Sequence, residues 1–174
     1  MRIKEYKDLD FAALRAQALE PWLLHLFGNR FASVVAIKGE PGEAESRGKP
    51  PFFGADAEAL ENALVALGWG NNNWCGIALD LPGRDVLDPK ELRLLIETID
   101  PRALLALDKK AAEALLDGYG VELLPRIPQA GVKTKLLGRT LVIVDGFEAA
   151  LASKDEGEAK QRVWKELKAL TAHT

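Results

Sequence analysis

With 174 residues, 48% of them hydrophobic, the chain is long and apolar enough for one domain over 1–174 with a sizeable core, which excludes a disordered segment. Its formal charge of −3, from nearly balanced acids and bases, excludes the broad electrostatic grip of a non-specific nucleic-acid coat protein and leaves room only for local basic patches. The single cysteine, Cys75, excludes an internal disulfide and any thiolate cluster or structural zinc within one chain, while the absence of an apolar signal core or of a run near the roughly 18 apolar residues of a membrane span predicts a cytoplasmic protein off the membrane.

In chain order, Asp10 is placed to cap a first helix carrying Leu14, Ala18, Trp22 and Leu26 at helical spacing, with Pro21 kinking or dividing it and Gly28-Asn29 ending it. Ala32 to Ile37 is a continuous apolar run rich in β-branched residues, the pattern of a strand buried on both faces. The Gly-, Pro- and Glu-rich stretch from Lys38 to Gly54 must then turn sharply at the carboxyl end of that strand, the rim where ligands bind in open α/β sheets. Leu60, Leu64 and Leu67 mark a helix stopping at Gly68, followed by a strand from Trp74 to Leu79 and a turn at Pro82-Gly83.

Asp88-Pro89 with Glu91 starts a helix whose apolar stripe is Leu92, Leu95, Ile96 and Ile99. Ala103 to Leu107 is a third strand, and Asp108 caps a helix from Lys109 to Leu116. Val121 to Leu124 reads as a short strand or extended connection before a loop with Pro125, Pro128 and Gly131. Thr140 to Val144 is the last core strand, and Gly157 to Leu170 is a closing helix with Val163, Trp164, Leu167 and Leu170 inward. Strands alternating with helices in this way predict an α/β fold, a three-layer α/β/α sandwich with a mainly parallel central sheet.

Residues 38–54 resemble the first motif of the uracil-DNA glycosylase superfamily, chiefly the branches with G-E-x-P-G-x-x-E-D followed by G-R-P-F-V-G. Pro41, Gly42, Glu45, Arg47, Pro51, Phe52 and Gly54 fall on matching positions, while the leading Gly-Glu of the motif is replaced by Lys38-Gly39, with Glu40 one place late. The segment Leu92 to Leu116 is similar to the superfamily's L-I-x-P-x-x-I-x-A-L-G-x-x-A-A-x-A-L-L, and the order of elements matches from about Ser33 to Leu170.

The resemblance implies a uracil-DNA glycosylase-like sandwich with DNA or a nucleotide as partner, and an N-glycosidic hydrolase if the chain is an enzyme. It implies a nucleobase site at Pro41, Gly42 and Phe52, the last as a stacking ring, with Cys75 near the place of a base-reading asparagine. The four cluster-binding cysteines of many members are missing, so no iron-sulfur cluster and no other cofactor is expected. The superfamily's His-Pro-Ser loop is replaced by Asp145-Gly146-Phe147 after the last core strand, and the only histidines are His25 and His173. Losing a preorganised donor at a developing anion costs about 10²- to 10³-fold in rate, and an ionised Asp145 would add repulsion. The expectation is therefore a divergent member with weak or absent uracil excision; an active glycosylase of unusual specificity and a non-catalytic interaction module are the alternatives.

Glu43, Glu45 and Asp145 are the catalytic candidates, against a plain reading of the glutamates as solvated loop carboxylates. Phe52 is equally readable as a core plug. Asp80, Asp108 and Asp145 each follow a core strand and could converge with Glu43 and Glu45 on a divalent metal, but Asp108 reads as a helix cap and Asp80 as a turn residue, so no metal site is assigned. Arg126, Lys133, Lys135 and Arg139 form a basic stretch suited to phosphate contacts or to a solvated hairpin, and Lys133, Lys135 and Arg139 are taken as the phosphate-binding candidates. Trp69, between Gly68 and Gly70, is the one tryptophan placed as an exposed stacker, whereas Asn71, Asn72 and Asn73 read as a tight turn.

Overall fold

The computed structural model describes residues 3–120, 128–154 and 157–172. Helix α1 (Ile3–Leu19) runs into a 3-10 turn (Glu20–His25) with Pro21 in its first turn, where a proline needs no amide partner. Strands β1 (Leu26–Gly28) and β2 (Val34–Lys38) follow, then the one-turn helix α2 (Glu43–Ser46) and α3 (Ala55–Ala66). Next come β3 (Trp74–Ala78), α4 (Pro89–Ile99), β4 (Ala103–Ala106) and α5 (Lys109–Tyr119). The chain closes with β5 (Thr134–Leu136), β6 (Arg139–Ile143), α6 (Phe147–Ala152), α7 (Glu158–Leu167) and a 3-10 turn (Lys168–Leu170).

The strands form one six-stranded sheet in the order β1-β3-β2-β4-β6-β5. The four inner strands are mutually parallel, and both edge strands are antiparallel to their neighbours. The sheet is thus mixed. Every residue of β2, β3 and β4 is buried, as their unbroken apolar runs require, and successive side chains feed two separate cores. Val35, Ile37, Cys75, Ile77 and Leu104 pack with Leu92, Leu95 and Ile96 of α4 and Leu115 of α5. Val34, Ala36, Trp74, Leu105 and Val142 pack with Leu60 and Leu64 of α3, Phe147 of α6 and Val163 of α7.

The caps of α4 and α5 are those expected, whereas Asp10, expected to cap the first helix, lies inside α1, which begins at Ile3. Asp88 accepts from the amides of Lys90 and Glu91, the Glu91 carboxylate accepts in turn from the Asp88 amide, and Pro89 opens α4. Several expectations are corrected. Leu26 lies in β1 rather than on the first helix, because the helix gives way at Pro21 and the chain turns back to pair antiparallel with β3. Trp164 is exposed, lying under the Lys168 ammonium instead of in the core. The loop after β2 contains α2. The basic stretch forms the hairpin that is one of its two readings, β5 pairing with β6. The expected strand at 121–124 lies outside the described residues. Among the described residues no helix is long and apolar enough to cross a membrane.

Candidate functional site

β2 ends at Lys38, the one polar residue of an otherwise apolar strand, and its ammonium is only 3% exposed. Three carboxylates surround it: Glu45 of α2 at 2.8 Å, Asp56 of α3 at 2.6 Å and Glu148 of α6 at 3.0 Å. An ammonium carries three N–H donors, so each is matched to one acid and none is left over. Burial opposes the charge on Lys38, yet the hydrogen bonds to Asp56, Glu45 and Glu148 outweigh it and raise the pKa above the ordinary lysine value.

Glu45 also organises the loop. Its two oxygens accept from Lys38, from the Phe52 amide at 2.9 Å and from the Gly42 amide. Glu45 is therefore a buried staple rather than a solvated carboxylate, and it cannot orient a water at a ligand. Gly42 faces Glu148 so closely that a Cβ there would stand 1.5 Å from Glu148 Oε1. Glu148, half-buried, is held above the ordinary glutamate pKa by burial, reinforced by the charges of Glu45 and Asp56 and opposed by Lys38.

Asp108 does more than cap α5. One oxygen accepts from the Ala111 amide at 2.8 Å, and the other accepts from the amides of Gly39 at 2.8 Å and Glu40 at 3.2 Å. The loop after β2, the start of α5 and the start of α6 thereby enclose a cavity of about 340 Å³, at the lower end of the roughly 300–1,000 Å³ usual for ligand pockets. Pro41, Gly42 and Glu43 line it from one side and Gly146, Phe147 and Glu148 from the other. Glu40, Glu43, Asp108 and Glu148 line it together with Lys38, so acidic residues outnumber basic ones there. Glu43 is paired with Arg47, however, Asp108 with three backbone amides and Glu148 with Lys38, and most of the wall is apolar.

Among the residues chosen from sequence, Pro41, Gly42 and Glu43 reach this pocket. Phe52 does not. It is 1% exposed and packs edge-on to Trp74, with its ring against the β3 backbone where a Cβ on Gly76 would lie 2.5 Å away. The stacking assignment is corrected to the core-plug reading, and the Phe52 ring also carries the Lys38 ammonium 4.8 Å from its centroid. Cys75 is corrected as well. It is wholly buried in the opposite core from Phe52, and burial pushes its thiol up to about 12, so it reads no base edge beside that ring.

Asp145 points outward, 65% exposed and 3.8 Å from Arg162, and the pocket begins one residue later at Gly146. Asp80 pairs with Lys110 at 2.9 Å, so Asp80, Asp108 and Asp145 do not converge, and among the described residues no three potential ligands are grouped to hold a metal. His25 is not in the pocket either: its Nδ1–H donates to the Ala78 carbonyl at 2.7 Å.

The basic candidates occupy the other end of the sheet. Lys135 lies in β5 and Arg139 opens β6, which puts both at the amino ends of the parallel strands with Lys133 lining the same cavity. Arg139 holds Glu97 at 2.9 Å and Asp100 at 2.8 Å, and Lys135 donates to Thr140 Oγ1 at 3.0 Å. A strand of five residues separates the two rims by roughly 15 Å. Although the stretch precedes Asp145 in sequence, it therefore does not flank the pocket at Glu148.

The residues missed from sequence are Lys38, Asp56 and Glu148 as one cluster. The available signal was a lysine abutting a fully buried apolar run, which needs acids nearby to be tolerated there. No protein-family model and no curated protein matches the chain.

Proposed function

We propose that the chain is a divergent member of the uracil-DNA glycosylase superfamily, a three-layer α/β/α sandwich whose carboxyl-rim pocket binds a nucleobase or nucleoside and in which uracil excision is weak or absent. The observation that carries this reading is the Lys38 ammonium, whose three N–H groups are engaged by Glu45, Asp56 and Glu148. A departing pyrimidine anion needs a preorganised donor, and among the described residues the one cation lining the pocket has none to give.

Four acidic residues against one engaged lysine disfavour a phosphate, and the largely apolar wall suits the face of an uncharged base. Support for the superfamily comes from the pocket's construction, since the two segments that the resemblance marks, the loop after β2 and the turn after β6, are its facing walls. Purified protein incubated with single- and double-stranded uracil-containing oligonucleotides is expected to leave no abasic sites above blank at micromolar concentration. Free nucleobases and nucleosides are expected to shift the Gly42 and Gly146 amide resonances. Robust uracil release that is abolished by Glu43→Gln would overturn the excision reading, and unmoved Gly42 and Gly146 resonances would overturn the binding reading.

A further inference from the structure

The amino rim of the sheet holds a second and larger cavity, about 600 Å³, that the carboxyl-rim reading does not use. Its basic side chains are Arg102, Lys133, Lys135 and Arg139. Two of them are held in place from behind. Arg139 is only 11% exposed and is fixed by Glu97, by Asp100 and by the Pro101 carbonyl at 3.1 Å, while Lys135 rests on Thr140 Oγ1. Arg102 is exposed and takes part in no ion pair among the described residues.

Even with Asp100 in the wall and Glu97 behind Arg139, positive charge exceeds negative at this rim, in a protein that is acidic as a whole. The cavity also has an aromatic wall. Trp69 is half-buried against the second core with its indole N–H on the Leu170 carbonyl at 2.7 Å, so what it offers a ligand is the part of its ring left uncovered at the cavity. Ser33 and Thr140 add hydroxyls. Basic groups beside an aromatic wall, in a cavity larger than a bare phosphate fills, match a base joined to a phosphate.

We infer that the amino rim binds a nucleoside monophosphate, its phosphate on Arg102 and Lys135 and its base against Trp69. This site is independent of the carboxyl-rim pocket, where the charge has the opposite sign.

The full-length protein titrated with adenosine or uridine 5′-monophosphate is expected to shift the Gly68 and Gly138 amide resonances, which report the amino rim, and to leave those of Gly42 and Gly146 unmoved. Adenosine alone and inorganic phosphate alone are expected to bind at least about tenfold more weakly. The double variant Arg102→Gln, Lys135→Gln should weaken the monophosphates about tenfold without changing the thermal midpoint, because both side chains are exposed. In Trp69→Phe the tryptophan fluorescence response to ligand should disappear. Unmoved Gly68 and Gly138 resonances at millimolar monophosphate, or unchanged affinity in the double variant, would overturn the proposal. Tighter binding of a single-stranded oligonucleotide through the same two glycines would replace the small ligand with nucleic acid and overturn it equally.

Discussion

The two ends of one sheet carry charge to opposite purposes. At the carboxyl rim a lysine lies beneath the surface with an acid on each of its three donors, and the cluster joins β2, α2, α3 and α6. At the amino rim Arg139 is similarly fixed by Glu97 and Asp100, yet Arg102 beside it stays exposed. Residue type alone does not tell these apart: a lysine and an arginine each end up structural where acids complete their hydrogen bonds. What distinguishes a cation available to a ligand from one engaged in the fold is whether its partners come from the same chain.

The contrast breaks most visibly at Lys38. Replacing it with methionine strands three acids around a buried apolar side chain, and urea denaturation should show a loss of about 3 to 5 kcal/mol at neutral pH. The deficit relative to the parent should shrink as pH falls into the carboxylate range, since acids left without their cation have raised folded-state pKa values and regain stability when protonated. A smaller effect is expected for Gly42→Ala. The added methyl must push Glu148 off Lys38, at a cost of about 1 to 3 kcal/mol by the same denaturation measurement, and the penalty should largely vanish when Glu148 is also alanine.

The smallest effect concerns Glu148→Gln and has a definite sign. The Glu148 pKa is raised in the fold, so the native state binds more protons than the unfolded chain and the parent loses stability as pH rises through the glutamate range. The glutamine variant lacks that loss. Its thermal midpoint relative to the parent should therefore climb as pH increases from below the ordinary glutamate value, and a flat difference would show that burial, with the charges of Glu45 and Asp56, does not raise the Glu148 pKa.

Strands β2, β3 and β4 were legible because full burial leaves an unmistakable apolar run, as in residues 34–37 and Ala103–Ala106. Helices α4 and α5 were legible through Asp88 and Asp108, whose caps are local. The edge strands were not. β1 and β5 are three residues each, and what makes them strands is pairing with β3 and β6, which no local pattern encodes. The same limit governed the site. Pro41, Gly42 and Glu43 were found because they lie in one distinctive loop, whereas Asp56 and Glu148 reach Lys38 from distant helices. Phe52 had two readings from sequence, and the space over Gly76 decides between them by giving the ring a slot on the sheet.

The Asp108 carboxylate receives amides from Gly39, Glu40 and Ala111, across 69 residues of chain. One acid thus fastens the lip of the pocket to the first turn of α5. Removing this carboxylate would therefore release the lip and uncap the helix in one step.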